Sequence, residues 1–385
     1  MSQELSRRDF LKASFVSALA VSLPGRLLSK ETAIGTVPNL GLYIDFGSFV
    51  YKDKLALFKE KLLKSGANTA IVDIKGGGMT HVEFEHPLKV KYSEWPEDPQ
   101  ALKDFIGWAD SNRIRVVGRM VIMEDKRLLS IHPELALKDS RGGIWFNFQG
   151  NPWANPYRSE IADYNAAIAK AAIEAGIDEV QYDYVRFPSG ESDVQYIKHT
   201  HNNGEKSRVE AITAIVKAGK KAVEEAGGRL SVDFFGGTAW KESGDMGIGQ
   251  SIEAVAPYVD VLCPMAYPSL YATLFKGLPD ACIEGSACPY DIVYLTTKLT
   301  RERLLAVNPN ASVEPWIQVY RDSRFGNPMT IKEYEEQQRG ALEAKATGVY
   351  AWNTVLNFPD DLFHKYENYS VSDKPDFYEQ LQRVK

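Results

Sequence analysis

Eight short apolar segments, each followed by a helix-like stretch or by a loop and then a helix, recur along this chain from Gly41 to Trp352. No other feature restricts the fold so tightly, because strand–helix–strand repetition forces parallel strands joined by crossovers. The strand-like segments are Gly41–Phe46, Thr69–Lys75, Arg115–Met123, Glu179–Val185, Leu230–Phe235, Val261–Tyr267, Val313–Tyr320 and Val349–Trp352. Helical patterns fall between them, over Lys54–Lys64, Gln100–Ser111, Ser159–Ala175, Val209–Ala226, Ser251–Ala256, Tyr290–Val307 and Ile331–Ala346. Several stop at a glycine (Gly66, Gly176, Gly227, Gly348), the residue that accepts the left-handed turn ending a helix. Thr69–Ile74 is apolar on both faces, as a parallel strand covered by helices requires. The expectation is an α/β protein, one (β/α)8 TIM barrel over residues 36–360 with a tail at 361–385. The 385 residues, 44% of them hydrophobic, suffice for such a barrel, which takes ~250 residues and more with insertions.

The segment before the barrel reads Ser6-Arg7-Arg8-Asp9-Phe10-Leu11-Lys12 and then runs weakly apolar from Ala13 to Leu23. A charged start and a short apolar run make a signal-peptide pattern. The arginine pair followed by Phe-Leu-Lys matches the twin-arginine export signal, which implies the twin-arginine translocase as a partner and a periplasmic or secreted destination. The apolar run is about half the ~20 residues of a membrane span, so no stable anchor is expected. Residues 1–35 are set apart as signal and linker. The net charge of −6 argues against nucleic acid or an anionic membrane as main partner. Three cysteines are too few for a disulfide framework. Cys282 and Cys288 could close a small loop in an oxidising compartment, whereas Cys263 lies inside a strand and reads as core.

Barrels of this kind build their sites at the C-terminal ends of the strands. The fourth segment ends Gln181-Tyr182-Asp183-Tyr184-Val-Arg186-Phe-Pro188, a carboxylate among aromatic rings beside a guanidinium, which suits a sugar-binding or sugar-hydrolysing site. Glycoside hydrolysis usually takes two carboxyl groups. Asp183 is the first, as nucleophile or base; Asp233 on the neighbouring segment is the preferred second, with Asp125 competing from the other side. Strands lie ~4.8 Å apart, so adjacent strand ends can bring carboxyls near the spacing that double displacement needs, and two acids in one cleft push their pKa values apart. Glu314 falls too early in its strand to reach the mouth. Substrate-binding candidates are Asp73, Lys75, Arg119, Asp125, Tyr182, Arg186, Tyr267, Trp316, Gln318 and Trp352, where rings stack on sugar faces and polar groups donate hydrogen bonds. The loops after the third and sixth strands are long, and the first carries Trp145, Phe146, Phe148, Trp153 and Tyr157. The six histidines show no ligand spacing, Gly76-Gly-Gly78 lacks the rest of a phosphate loop, and no Gly-x-Ser-x-Gly elbow occurs, so neither metal nor cofactor is expected.

From about 40 to 355 the chain resembles a family of glycoside hydrolases with a (β/α)8 barrel. The resemblance rests on Asp178-Glu-Val-Gln-Tyr-Asp183-Tyr-Val-Arg186-Phe-Pro188, supported by Val72-Asp73-Ile-Lys75, Trp153-Ala-Asn155-Pro-Tyr157, Ser231-Val-Asp233, Gly249-Gln250, Met265-Ala-Tyr267, Pro315-Trp316-Ile-Gln318 and Ala351-Trp352-Asn353. It implies a barrel and a sugar site. More distantly, Asp183 and Met265-Ala-Tyr267 are similar to chitinase-like barrels. Gln181 replaces one of their aspartates and Val185 stands where their catalytic glutamate would be, so that chemistry is not carried over. The expected activity is hydrolysis of a polysaccharide or cell-envelope glycan; a glycan-binding barrel without turnover, or less favourably a structural envelope protein, is the competing class.

Overall fold

A computed structural model of the protein describes residues 37–89, 98–189, 197–198, 206–241, 245–271, 288–320 and 329–366. Eight strands form a closed parallel barrel: β1 Asn39–Ile44, β2 Thr69–Gly76, β3 Arg115–Val121, β4 Glu179–Asp183, β5 Arg229–Phe235, β6 Val261–Met265, β7 Trp316–Gln318 and β8 Gly348–Trp352. Each pairs with its neighbour in sequence, and β8 returns to β1 with Leu40 opposite Val349 and Leu42 opposite Ala351. Helices Lys52–Lys64, Pro99–Ser111, Ser159–Glu174, Arg208–Glu225, Ile252–Val255, Pro289–Leu305 and Ile331–Glu343 follow β1 to β7 in turn. The fold is the (β/α)8 barrel expected. The twin-arginine segment, Cys282, Phe275, His199, His201 and the tail beyond 366 lie outside the described residues. Cys288 is disulfide-bonded and Cys263 is free and buried.

Period-two alternation sorts each strand into two faces. Leu40, Leu42, Val72, Val116, Met120, Val180, Val232 and Leu262 turn outward into the main apolar layer beneath the helices. Tyr43, Ile71, Val117, Val261, Cys263, Trp316 and Tyr350 turn inward and fill the barrel. One inward glycine marks a tight place. A Cβ on Gly41 would stand 2.4 Å from Ile71 and 2.6 Å from Tyr350, so the bulk of the tyrosine requires the absence of a side chain opposite.

The N-terminal end of the barrel is closed by buried charge. Arg115 pairs with Glu179, and lies 3.6 Å from Glu314, which also accepts hydrogen bonds from Tyr350, from Thr347 at 3.0 Å and from Asn39 at 2.7 Å. Glu314 is thus fully engaged at the floor, away from the mouth, as its early place in the strand implied.

Candidate active site

At the other end of the barrel one arginine gathers three carboxyl groups. Arg119, near the end of β3, donates from Nη1 to Asp73 Oδ1 at 2.5 Å and from Nε to Asp183 Oδ2 at 3.1 Å, and its Nη2 also contacts Asp183. Asp233 Oδ2 stands 3.8 Å from the same Nε. The guanidinium lies beneath a ring pair, 5.4 Å from the Tyr43 centroid and 5.0 Å from that of Trp352, and these rings stack at 4.0 Å. Strand alternation explains the assembly: Tyr43, Asp73, Arg119, Asp183, Asp233 and Trp352 are inward positions at or near the C-terminal ends of β1, β2, β3, β4, β5 and β8.

Each carboxylate has a second anchor. The Tyr43 hydroxyl donates to Asp73 Oδ2 at 2.7 Å, and Trp316 Nε1 donates to Asp233 Oδ1 at 2.7 Å. Asp183 Oδ1 accepts from the backbone N–H of Tyr184 at 2.5 Å. Tyr184 takes that role with φ +54°, a left-handed conformation costly for a ring-bearing residue and concentrated at functional sites. Gln250 holds the end of β5 from behind, accepting from Phe235 N–H at 2.9 Å and donating to the Asp233 carbonyl at 3.2 Å. That gives the Gly249-Gln250 match a physical role.

The acids differ in charge preference. Burial, then the Asp183 charge, push the Asp233 carboxyl well above the usual carboxylate range, with Arg119 and Trp316 opposing. Burial raises Asp73 too, against the pull of Arg119 and Tyr43. Burial opposes the charge on Arg119, but the surrounding carboxylates outweigh it and hold the guanidinium charged. One cation among three acids is balanced only when some of the acids keep their protons, and Asp233 is the one whose surroundings most favour this.

A stability consequence follows for Asp233, whose folded-state pKa is raised. The stabilisation from its bound proton is complete below the ordinary carboxylate range. It is lost as pH rises from there through the group's elevated value, because the unfolded chain releases the proton first. Asp233→Asn mimics the protonated acid, and should flatten that decline and leave the protein at least as stable as the wild type at neutral pH. Urea unfolding across a pH series measures this; an equally steep decline in the variant would contradict the assignment.

Several expected site residues are placed elsewhere. A bulge in β2 sets Asp73 opposite Arg119 but Lys75 opposite the outward Met120, so Lys75 points to the helix side. There its ammonium lies 2.9 Å from Asp125 and 5.9 Å from the Tyr164 ring centroid, in a helix covering the barrel. Asp125 caps the short helix Lys126–Ile131, accepting from Leu128 N–H at 2.9 Å. Lys75 and Asp125 therefore form a buried structural pair rather than binding groups at the mouth. Tyr182 also faces outward; a Cβ on Gly219 of the overlying helix would touch its ring at 2.6 Å. Gln318 spends its side chain on the loops, accepting from Ser269 N–H at 3.0 Å and donating to the Tyr320 carbonyl at 3.2 Å. Trp316 is 1% exposed and serves as the Asp233 clamp rather than a stacking surface. Arg186 does not supply the guanidinium beside Asp183. It stacks over Trp153 at 5.1 Å and Tyr184 at 5.3 Å, and its carbonyl accepts from Trp153 Nε1 at 3.0 Å.

Tyr267 does belong to the mouth, edge-on to Tyr320 at 5.7 Å and near enough to Asp233 and Asp183 that their charges add to burial in raising its phenol. Two residues are added. Tyr43 alternates with Gly41 on β1, a signal the sequence held. Glu124 immediately precedes Asp125, and after β3 it accepts from Asn147 and Asn151 while Asp125 caps the next helix.

A family described as "Putative glycosyl hydrolase domain" matches residues 41–358. No curated protein matches. Among solved structures, the glycoside hydrolase domain of PgaB (BpsB) from Bordetella bronchiseptica shares 12% identity at TM-score 0.60, covering 86% of this chain and 99% of its own. A β-galactosidase from the psychrophilic Marinomonas ef1 shares 12% identity at TM-score 0.56, covering 90% of this chain and 60% of its own. A hypothetical protein from Ruminiclostridium thermocellum is 29% identical over 50% of this chain and 96% of its own, at TM-score 0.41. The two with the higher scores are alike in fold. With its closed barrel and a match over nearly all of it, the chain belongs to the "Putative glycosyl hydrolase domain" family.

Proposed function

We propose that this protein hydrolyses glycosidic bonds in a polysaccharide or cell-envelope glycan. The observation that carries the reading is Asp183. It is a carboxylate at the barrel mouth, fixed on one oxygen by Arg119 and on the other by the strained Tyr184 N–H, the kind of preorganisation a catalytic group needs. In this reading Asp183 is the carboxylate that acts at the sugar. Asp233 is its protonated neighbour, which lets a crowded cluster hold a working anion. The partly exposed Trp352 offers ring surface for a sugar face, with Tyr43 stacked behind it. The glycosidase barrels among the solved relatives support the reading at the level of fold. The partly exposed Trp352 ring would equally suit a barrel that binds glycan without cutting it. The experiment that separates the two is release of new reducing ends from a panel of bacterial polysaccharides by the purified protein and its Asp183→Asn variant. Binding with no release by the wild type would favour the binding reading.

We further propose that the protein works outside the cytoplasm, exported through the twin-arginine translocase. Arg7 and Arg8 before a weakly apolar run support this. Replacing both by Lys should hold the precursor in the cytoplasm, as cell fractionation would show. Normal external accumulation of that variant would exclude this route.

A further inference from the structure

Resting on the hydrolase reading above, we propose that Glu124 is the catalytic residue that protonates the leaving glycosidic oxygen, with Asp183 as the base on the attacking water. Hydrolysis usually needs two carboxyl groups within reach of the sugar. Asp233 is poorly placed to be the second: it is 1% exposed, one oxygen is held by Trp316, and the other faces Arg119. Glu124 comes from the same lip of the barrel as Asp183. Val121 stands opposite Asp183 in the sheet, and Ile122 N–H still donates to the Asp183 carbonyl at 2.9 Å as the chain leaves β3. Glu124 follows and is half-buried.

Its environment is built rather than incidental. Oε1 accepts from Asn147 Nδ2 at 2.9 Å and from Asn151 Nδ2 at 2.6 Å. Those asparagines belong to one turn, in which Asn147 Oδ1 accepts from Gln149 N–H at 3.0 Å and Asn151 N–H at 2.9 Å. Two amides on one oxygen orient the carboxyl group and leave Oε2 for a substrate. Tyr184, the residue after Asp183, packs its ring 5.8 Å from that of Trp153. Burial first, then the charges of Asp183 and Glu124, raise the Tyr184 phenol, so one ring senses both carboxyl groups. An acid in Glu124 and a base in Asp183 acting on opposite faces of the sugar would make the reaction inverting, without a covalent intermediate.

Protonated Glu124 gives its proton to the glycosidic oxygen as the bond from that oxygen to the anomeric carbon breaks. Water adds to the anomeric carbon from the opposite face and passes a proton to Asp183. Solvent then returns one proton to Glu124 and takes one from Asp183.

The test uses Glu124→Gln and Asp183→Asn on the polysaccharide the wild type cleaves and on 2,4-dinitrophenyl glycosides of its sugars, whose leaving group needs no proton. Glu124→Gln should lose about 100-fold or more on the polysaccharide, stay within about tenfold on the activated glycoside, and lose the alkaline limb of its pH–rate profile. Polysaccharide cleavage near the wild-type rate would overturn the assignment, and so would equal loss on both substrates, the mark of a merely structural role. If Asp183→Asn is inert while Glu124→Gln is fully active, only Glu124 is misassigned. A wild type inert across the panel removes the hydrolase reading and this one together.

Discussion

Asp183→Asn is expected to lose at least about a thousandfold in turnover, about 4 kcal/mol of transition-state stabilisation, while its melting temperature stays within a few degrees of wild type. The asparagine keeps the volume and can still accept from the Tyr184 N–H. What it removes is the anion. The fold should tolerate this because the cluster re-balances: with the Asp183 charge gone, one of the two main forces raising Asp233 disappears. Asp233 can then ionise against Arg119 and leave the cation paired. Asp183→Asn that cleaves a confirmed substrate at the wild-type rate would end the mechanism proposed. A variant that is inactive because it is unfolded would show itself in the melting curve.

Arg119→Met should be the most damaging single change to stability at the mouth. Removing one partner of a buried ion pair typically costs about 3–5 kcal/mol because the other charge is left without compensation, and here three carboxyl groups share the one cation. The cost should shrink as pH falls and the abandoned acids take up protons. Arg119→Lys should recover only part of it, since an ammonium cannot span Asp73 and Asp183 as the planar fork does. Urea unfolding at neutral and acidic pH measures both. A loss below about 1 kcal/mol at neutral pH would mean that the carboxyls are satisfied without the guanidinium.

Much of this was legible in the residues. The period of the apolar segments and the glycines closing the helices located all eight strands. Period-two alternation also brought Asp73, Arg119, Asp183, Asp233, Tyr267 and Trp352 to one rim. What sequence could not resolve was local. Lys75 would share a face with Asp73 in a regular strand, and a single bulge sends it to the other side. Glu124 and Asp125 are adjacent, and the turn after β3 decides which becomes a helix cap and which meets the Asn147 and Asn151 amides. Trp316 and Gln318 do point into the barrel, but their polar atoms are spent on Asp233 and on loop backbone. Alternation gives the direction of a side chain and says nothing of what it meets. Arg186 is the instructive error: nearness in sequence suggested it as the partner of Asp183, and the partner came from the neighbouring strand.

The stacked rings of Tyr43 and Trp352 join the first strand of the barrel to the last. A ribosome making this chain has therefore released the whole barrel before the pocket over Arg119 can exist in any form. Contacts so distant along the chain slow folding, because the loop entropy is spent before the contact rewards it. Until β8 docks, β1 and β7 each present an unpaired edge. The moment that completes the sugar site is also the moment that removes those edges, so in a newly made chain solubility and competence should arrive in one kinetic phase.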